Sequence, residues 1–321
     1  MTVLILTNTH DPTADDVIMR LRDRGTPVFR LDPADFPQRA VLHSEISADG
    51  WLGTLATEHR TLDLSTVTGV WYRRPRRFLL PEQMSRAERG WAADEARRGF
   101  GGIINTLPGW LNPPAAIGRA EYKPYQLHQA VRAGLAVPRT LVTSDPEQAR
   151  AWCAQVGDVV YKPLGAATWS EDGSHYAVYT TPLSPDEWGD PAIGRTAHLF
   201  QRRLDKQYEV RLTMVDDQAF PAAIHAHSDR SRTDWRTDYK ALTYSIPPVP
   251  RRVLAGACTL LRLLDLRYAA LDFVVEQGQW WFLEANPNGQ YGWIQHQTGQ
   301  QIGDAIADAL TRKEPNVHND H

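Results

Sequence analysis

The stretch Leu271-Asp272-Phe273-Val274-Val275, followed by Trp280-Trp281-Phe282-Leu283-Glu284-Ala285-Asn286-Pro287-Asn288-Gly289, decides how this chain is read. It has the pattern of a strand, a tight turn and a second strand, and it carries Asp272, Glu284 and Asn286. All three side chains offer oxygen ligands, which suits Mg²⁺ bridging the phosphates of a nucleotide. A carboxylate set among Leu, Phe, Val and Trp is costly to bury unpaired, so a bound metal accounts for it better than packing does. The competing account is an amphipathic hairpin with solvent-facing acids.

Side chains alternate faces along a strand, which puts Glu284 and Asn286 on one face. Asp272 joins them only if it stands opposite Glu284. That pairing demands an odd connection, such as three residues at Gln277 to Gln279, or an equivalent bulge. A two-residue Gln277-Gly278 turn with unbroken register pairs Asp272 with Leu283 and sends the acids to opposite faces.

The chain has 321 residues, more than one hydrophobic core usually serves, so two or three lobes are expected. Its formal charge of −3 gives no electrostatic case for nucleic-acid or membrane binding. Met1 to Leu6 is a short apolar strand and not a signal peptide, and no apolar run approaches the ~20 residues that cross a bilayer. Cys153 and Cys258, the two cysteines, read as reduced thiols of a cytoplasmic protein.

The opening pattern is β-α-β: a strand at Val3 to Thr7, a helix from Asp15 to Arg24 with Val17, Ile18 and Leu21 on one stripe, a stop at Gly25, and a strand at Val28 to Leu31. The turn Asn8-Thr9-His10-Asp11-Pro12 lacks the glycines of a dinucleotide-binding loop. Val41 to Thr57 reads as a hairpin around Asp49-Gly50. Val67 to Tyr72 reads as a strand running into Arg73-Arg74-Pro75-Arg76-Arg77, which either lines a ligand crevice or forms a solvated basic turn. A charged helix over Glu82 to Phe100 and a Pro-rich passage, Asn105 to Pro114, close the first lobe.

A second unit opens with a helix at Tyr122 to Ala130, carrying Pro124 in its first turn and ended by Gly134. A strand at Pro138 to Thr143, a helix at Pro146 to Val156 and a strand at Val159 to Pro163 follow, with His175 to Tyr179 as hairpin partner of the last. A third unit begins at His198. It continues with antiparallel strands at Glu209 to Val215 and Ala219 to His225, a polar loop from Ser228 to Lys240, and a core helix at Arg252 to Leu264. A helix at Gln301 to Leu310 precedes a polar tail.

Two lysines are oddly placed. Lys162 interrupts an apolar strand, where it needs an anionic neighbour unless it snorkels to the surface. Lys123 stands at a helix start, where a cation is disfavoured by the helix dipole unless an anion offsets it. His225 and His227, two apart on a strand, lack a third ligand of suitable spacing and read as strand-exposed or substrate-facing rather than metal-binding.

In the order and spacing of these features the chain resembles the ATP-grasp superfamily: Lys123, then Tyr161-Lys162-Pro163, then Gln201 to Arg211, then Asp272, Glu284 and Asn286. That resemblance implies an α/β protein with an N-terminal parallel pre-ATP-grasp domain at 1–115, α+β lobes at 116–195 and 196–312, and a flexible tail at 313–321. It implies ATP and Mg²⁺ as cofactors, with Lys123 and Lys162 on phosphates, Gln201, Arg202, Arg203 and Leu204 meeting adenine through their backbone, and Glu209 on the ribose. Asp272, Glu284 and Asn286 would be the metal ligands.

Within the superfamily the chain is similar to the graspetide (microviridin-type) macrocyclases. The resemblance rests on Trp71-Tyr72-Arg73-Arg74-Pro75, on Gly134-Leu135-Ala136-Val137-Pro138-Arg139-Thr140, on Asp234-Trp235-Arg236 and on Phe282 to Gln290. The glycine-poor loop from Leu164 to His175 departs from the superfamily pattern. The resemblance implies a ligase that activates Asp or Glu side chains of a ribosomal precursor peptide as acyl phosphates and crosslinks them to Ser, Thr or Lys. Arg211 and Arg236 would clamp the acceptor carboxylate. Asp234 and Asp238 are candidate bases by position. Homodimerisation is a family-level expectation. The rival readings are a ligase for free amino acids or a protein terminus, and a nucleotide-binding regulator without catalysis.

Overall fold

The computed structural model describes residues 1–48, 50–165, 168–171, 174–228 and 239–312, with backbone alone at 168–171, 174–177 and 239. The chain divides into two compact units. Among the described residues, the first comprises those of Met1–Pro114, Gln290–Gln295 and 301–312, and the second those of Ala115–Gly289 and His296–Gln300.

The first unit is built on β1 (Thr2–Thr7), α1 (Pro12–Asp23), β2 (Val28–Leu31), β3 (Ala40–Ser47), β4 (Gly50–Thr57), β5 (Thr61–Asp63), β6 (Val67–Arg74) and α2 (Arg86–Ile104). Strands β2-β1-β6 form a parallel sheet, as the opening pattern requires, and β3-β4-β5 form an antiparallel one. Helix α1 starts where Asp11 accepts the Ala14 amide, and Gly25 (φ 70°) turns the chain out of it. Helix α2 starts four residues later than its charge pattern suggests, because Ser85 and Glu88 form a reciprocal cap. The basic run splits into two kinds. Arg73 is buried beside Asp11 and donates to Gln290, Arg76 pairs with Asp32, and Arg74 and Arg77 are exposed.

The second unit holds α3 (Pro114–Ala120), α4 (Lys123–Arg132), β7 (Thr140–Thr143), α5 (Pro146–Val156), β8 (Val159–Lys162), β9 (Thr168–Glu171), β10 (Ser174–Ala177), β11 (Thr181–Leu183) and β12 (His198–Arg202). It continues through β13 (Tyr208–Val215), β14 (Gln218–Ala226), β15 (Leu242–Ser245), α6 (Arg251–Leu264), β16 (Tyr268–Glu276) and β17 (Gln279–Asn286). One sheet runs β11-β8-β12-β7, so His198–Arg202 completes it. Strand β8 takes β11 as its hairpin partner, not residues 175–179; those fall largely in β10, which pairs with β9. A four-residue stretch such as Val159–Lys162 cannot itself say which later strand will close on it.

The larger sheet runs β15-β14-β13-β16-β17, all antiparallel. Helix α6 lays Val253, Ala257, Leu260, Leu261 and Leu264 into the core with Leu212, Leu271, Phe273 and Phe282. Each fully buried side chain of that size contributes about 1.5–3 kcal/mol. That covered face leaves the other face of the sheet for the site. Two further helices follow, α7 (Gly292–Thr298) and α8 (Ile302–Thr311); α8 packs within the first unit, where Asp304 pairs with Arg20 and Arg24 of α1 and of the residue beyond it.

Candidate active site

The hairpin β16–β17 meets the geometric demand through a bulge. Its turn is the two-residue Gln277-Gly278, both at positive φ (50° and 76°), and Glu276 faces Gln279. Two residues in the left-handed region match the twist of the flanking strands, which favours this turn over a three-residue loop. The register then holds as far as Phe273 opposite Phe282 and slips, so that Asp272 stands opposite Glu284 and Ala270 opposite Asn286. Leu283 is the extra residue. Trp280 and Phe282 point into the core at 4% and 0% exposure; unbroken alternation would send Glu284 after them.

Strand β17 lies at the edge of its sheet, and Gln126 of α4 occupies that edge. Gln126 Nε2 donates to the Ala285 carbonyl at 2.8 Å, and the Ala285 amide donates to Gln126 Oε1 at 2.8 Å. Buried backbone groups that find no strand are thereby satisfied. The same contact carries Lys123, at the start of α4, to the acids: its Nζ donates to the Pro163 carbonyl at 2.7 Å and lies 3.5 Å from Glu284 Oε2. The carbonyl and the carboxylate offset its unfavourable place at the helix dipole.

Arg211 and Asp272 face each other on β13 and β16 and form a buried bidentate pair, Nε to Oδ1 and Nη2 to Oδ2, each 2.8 Å. Asn286 is exposed, and its Oδ1 accepts the Asn288 amide at 3.0 Å. The loop behind it is tied down by Tyr268 Oη, which donates to the Gly289 carbonyl at 2.6 Å; a Cβ at Gly289 would press on Ala270.

One cavity of about 1120 Å³ gathers Lys123, Lys162, Gln201, Arg202, Arg203, Leu204, Glu209, Asp272, Glu284 and Asn286. Its floor is the free face of the large sheet, and Val160, Pro163, Tyr179 and Pro182 line it from the smaller one. Glu209 is paired with Lys206. The Gln201 side chain is buried and donates to Thr140 Oγ1 at 2.9 Å, so any ligand contact there falls to its backbone. Arg202 pairs with Glu276 at 2.6 Å, and its guanidinium lies 5.1 Å from the centre of the Trp281 ring. This hydrogen bond, first, and that of the Asp205 amide hold the Glu276 carboxyl below the usual carboxylate range against the opposing effect of burial.

Arg236, Asp234 and Asp238 lie outside the described residues, as does the tail beyond 312. His225 and His227 bond to Ser245 and Thr243 on β15 at 2.9 Å each. His225 alternates with Ile224 and Ala226, which line the cavity, so it occupies the other face of β14, and His227 follows just beyond the strand. Cys153 is buried, which pushes its thiol up to about 11. Sequence reasoning missed Gln126, Lys206 and Glu276. A glutamine one turn after Lys123, on the apolar side of α4, was the available sign of the first; Glu276 looked like an ordinary strand end.

The donor set fits magnesium. Among the described residues no three His, Cys, Asp or Glu side chains cluster as a metal cage. Two carboxylates and an amide opening onto a cavity leave coordination positions for water and phosphate, which is how Mg²⁺ is usually held.

Residues 2–118 match the family model of the MvdD pre-ATP grasp domain. No curated protein matches the chain. Among solved structures, the chain is similar to a Chryseobacterium gregarium RiPP-associated ATP-grasp ligase in complex with ADP and a leader and core peptide, at 26% identity and TM-score 0.89, covering 98% of this chain and 97% of that one. It is similar to the macrocyclase MdnC of Microcystis aeruginosa MRC, bound with precursor peptide MdnA, at 27% identity and TM-score 0.84 over 97% and 99%. The macrocyclase MdnB of the same organism matches at 27% identity and TM-score 0.80 over 97% and 99%. The chain therefore has the ATP-grasp fold of a ligase, with a pre-ATP-grasp domain in front. Within that class its likeness is to the RiPP-associated enzymes, the graspetide maturases that the sequence motifs resemble.

Proposed function

We propose that this chain is an ATP-dependent ligase that activates Asp or Glu side chains of a ribosomal precursor peptide and joins them to Ser, Thr or Lys of the same peptide. The observation that carries the reading is the bulge at Leu283, which places Asp272, Glu284 and Asn286 on one wall of a cavity that also holds Lys123 and Lys162. When bound, Mg²⁺–ATP supplies the phosphoryl group that activates the carboxylate. Asp272, Glu284 and Asn286 hold the metal. Lys123 and Lys162 add positive charge where phosphate charge develops. Arg211 fixes the Asp272 carboxylate and, with Arg236, receives the acceptor carboxylate and its acyl phosphate. The backbone from Gln201 to Leu204 meets the base, and Glu209, steadied by Lys206, meets the ribose.

The likeness to a ligase solved with a leader and core peptide, and to a macrocyclase solved with its precursor peptide, supports a peptide partner. A second copy of the chain is a further expectation of this reading. No described helix is long and apolar enough to cross a membrane, and two cysteines outside any disulfide accord with a cytoplasmic enzyme.

The test is incubation of the full chain with Mg²⁺, ATP and the short acidic peptide encoded beside it, read by mass spectrometry. The expected result is loss of one water per bond formed, absent in Glu284→Gln although that variant keeps its melting temperature. A Glu284→Gln enzyme with wild-type turnover would refute the metal assignment, and ligation of free amino acids instead of the peptide would refute the substrate class.

A further inference from the structure

The segment from Arg202 at the end of β12 to Tyr208 at the start of β13 joins the four-stranded sheet to the five-stranded one, lines the cavity and has no strand of its own between its ends. Its amides are nonetheless committed, with one exception among the first four. Arg202 N–H donates to Arg139, Arg203 N–H to Asp158, both 2.9 Å, and Asp205 N–H to Glu276 Oε1 at 2.7 Å. Between them Leu204 donates its amide to no described residue, and it lines the cavity. A half-buried amide that bonds to no described residue and faces the cavity is free to meet a polar ligand edge there.

Glu276 is the group that sets this arrangement. It stands on the last position of β16, lines the same cavity, and its side chain is 14% exposed. One carboxylate takes the Arg202 guanidinium at 2.6 and 3.4 Å and the Asp205 amide, so it grips the segment on both sides of Leu204. The Trp281 ring under the guanidinium restricts where Arg202 can go. Further along, Gln207 is held by the Val275 carbonyl and by Gly278, which fixes the far end to the same hairpin.

We propose that Glu276 is a positioning residue for nucleotide recognition: through Arg202 and Asp205 it holds the joining segment so that Leu204 presents its peptide group to the base. This rests on the nucleotide-binding reading above and adds to it the residue that sets base selectivity. The pair Arg267–Asp216, immediately flanking strands β16 and β13 of the same sheet and with a carboxylate also 14% exposed, serves as a matched control, because neither residue lines the cavity.

The experiment is calorimetric titration of the full chain with Mg²⁺–ATP and with Mg²⁺–GTP, beside its melting temperature. Wild type should prefer ATP. Glu276→Gln should weaken ATP binding by about tenfold or more, the size of a lost charge-assisted hydrogen bond, and bring the ATP-to-GTP ratio towards one. Glu276→Asp, which keeps the charge, should fall between. Asp216→Asn should lower the melting temperature and leave the ratio as in wild type. A Glu276→Gln protein with wild-type ATP affinity and ratio would overturn the proposal, whatever its stability, and so would a wild-type ratio near one. Should Glu276→Gln not fold, an unchanged ratio in both Glu276→Asp and Arg202→Lys overturns it. If wild type binds neither nucleotide, the nucleotide reading itself falls, and the proposal with it.

Discussion

The hairpins β3–β4 and β16–β17 use their strands differently. In β3–β4 the register runs unbroken from Ser47 opposite Gly50 to Ala40 opposite Thr57. One face therefore stays one face, with Leu42 opposite Leu55 towards the core of the first unit. In β16–β17 the register slips after Phe273 opposite Phe282, and the next rung is Asp272 opposite Glu284. A core rung and a cavity rung become neighbours on the ladder. The difference shows what one extra residue does: it leaves the hydrophobic half of the hairpin buried and turns the polar half outward.

Lengthening the bulge by one residue should have the largest effect. One alanine inserted between Leu283 and Glu284 lets the ladder run on in regular alternation with Leu283 opposite Asp272, and carries Glu284 past Asp272 to face Ala270. We expect turnover of ATP to fall to background; an insertion variant with normal turnover would show that the Asp272–Glu284 rung does not matter. A smaller effect follows from unpairing the inner acid. Arg211→Leu leaves Asp272 buried without its bidentate partner, and denaturant unfolding should show a loss of about 3–5 kcal/mol. Mildest should be Gly53→Ala in the regular hairpin, where a Cβ would overlap the His43 carbonyl. Overpacking of that kind costs about 1–3 kcal/mol. Because Gly53 belongs to the first unit, Mg²⁺–ATP affinity by titration should be unchanged.

Much of this was legible along the chain. The apolar stripes of α1 and α6 repeat at helical spacing and were placed within a few residues, and α5 was read with its observed bounds, since Asp145 and Pro146 mark its start. The candidate site residues were legible because each breaks its local pattern: Lys162 in an apolar strand, Lys123 at a helix start, Asp272 among valines. The pairing of β8 with β11 was not legible, because a four-residue apolar run carries no label for its neighbour. Gln126 was not legible either, since its importance lies in the strand edge it meets 159 residues away.

The hairpin marks the division. The sequence by itself determined which oxygen ligands it carries, that they sit beside core residues, and that one common face required an odd turn or a bulge. Only the tertiary structure decided between the two, because Gln277-Gly278 favours the tight turn locally while the core claims Trp280, Phe282 and Ala285. Both demands are met at once only if the chain spends one residue between Phe282 and Glu284. That residue is Leu283, and nothing in its own identity announces it.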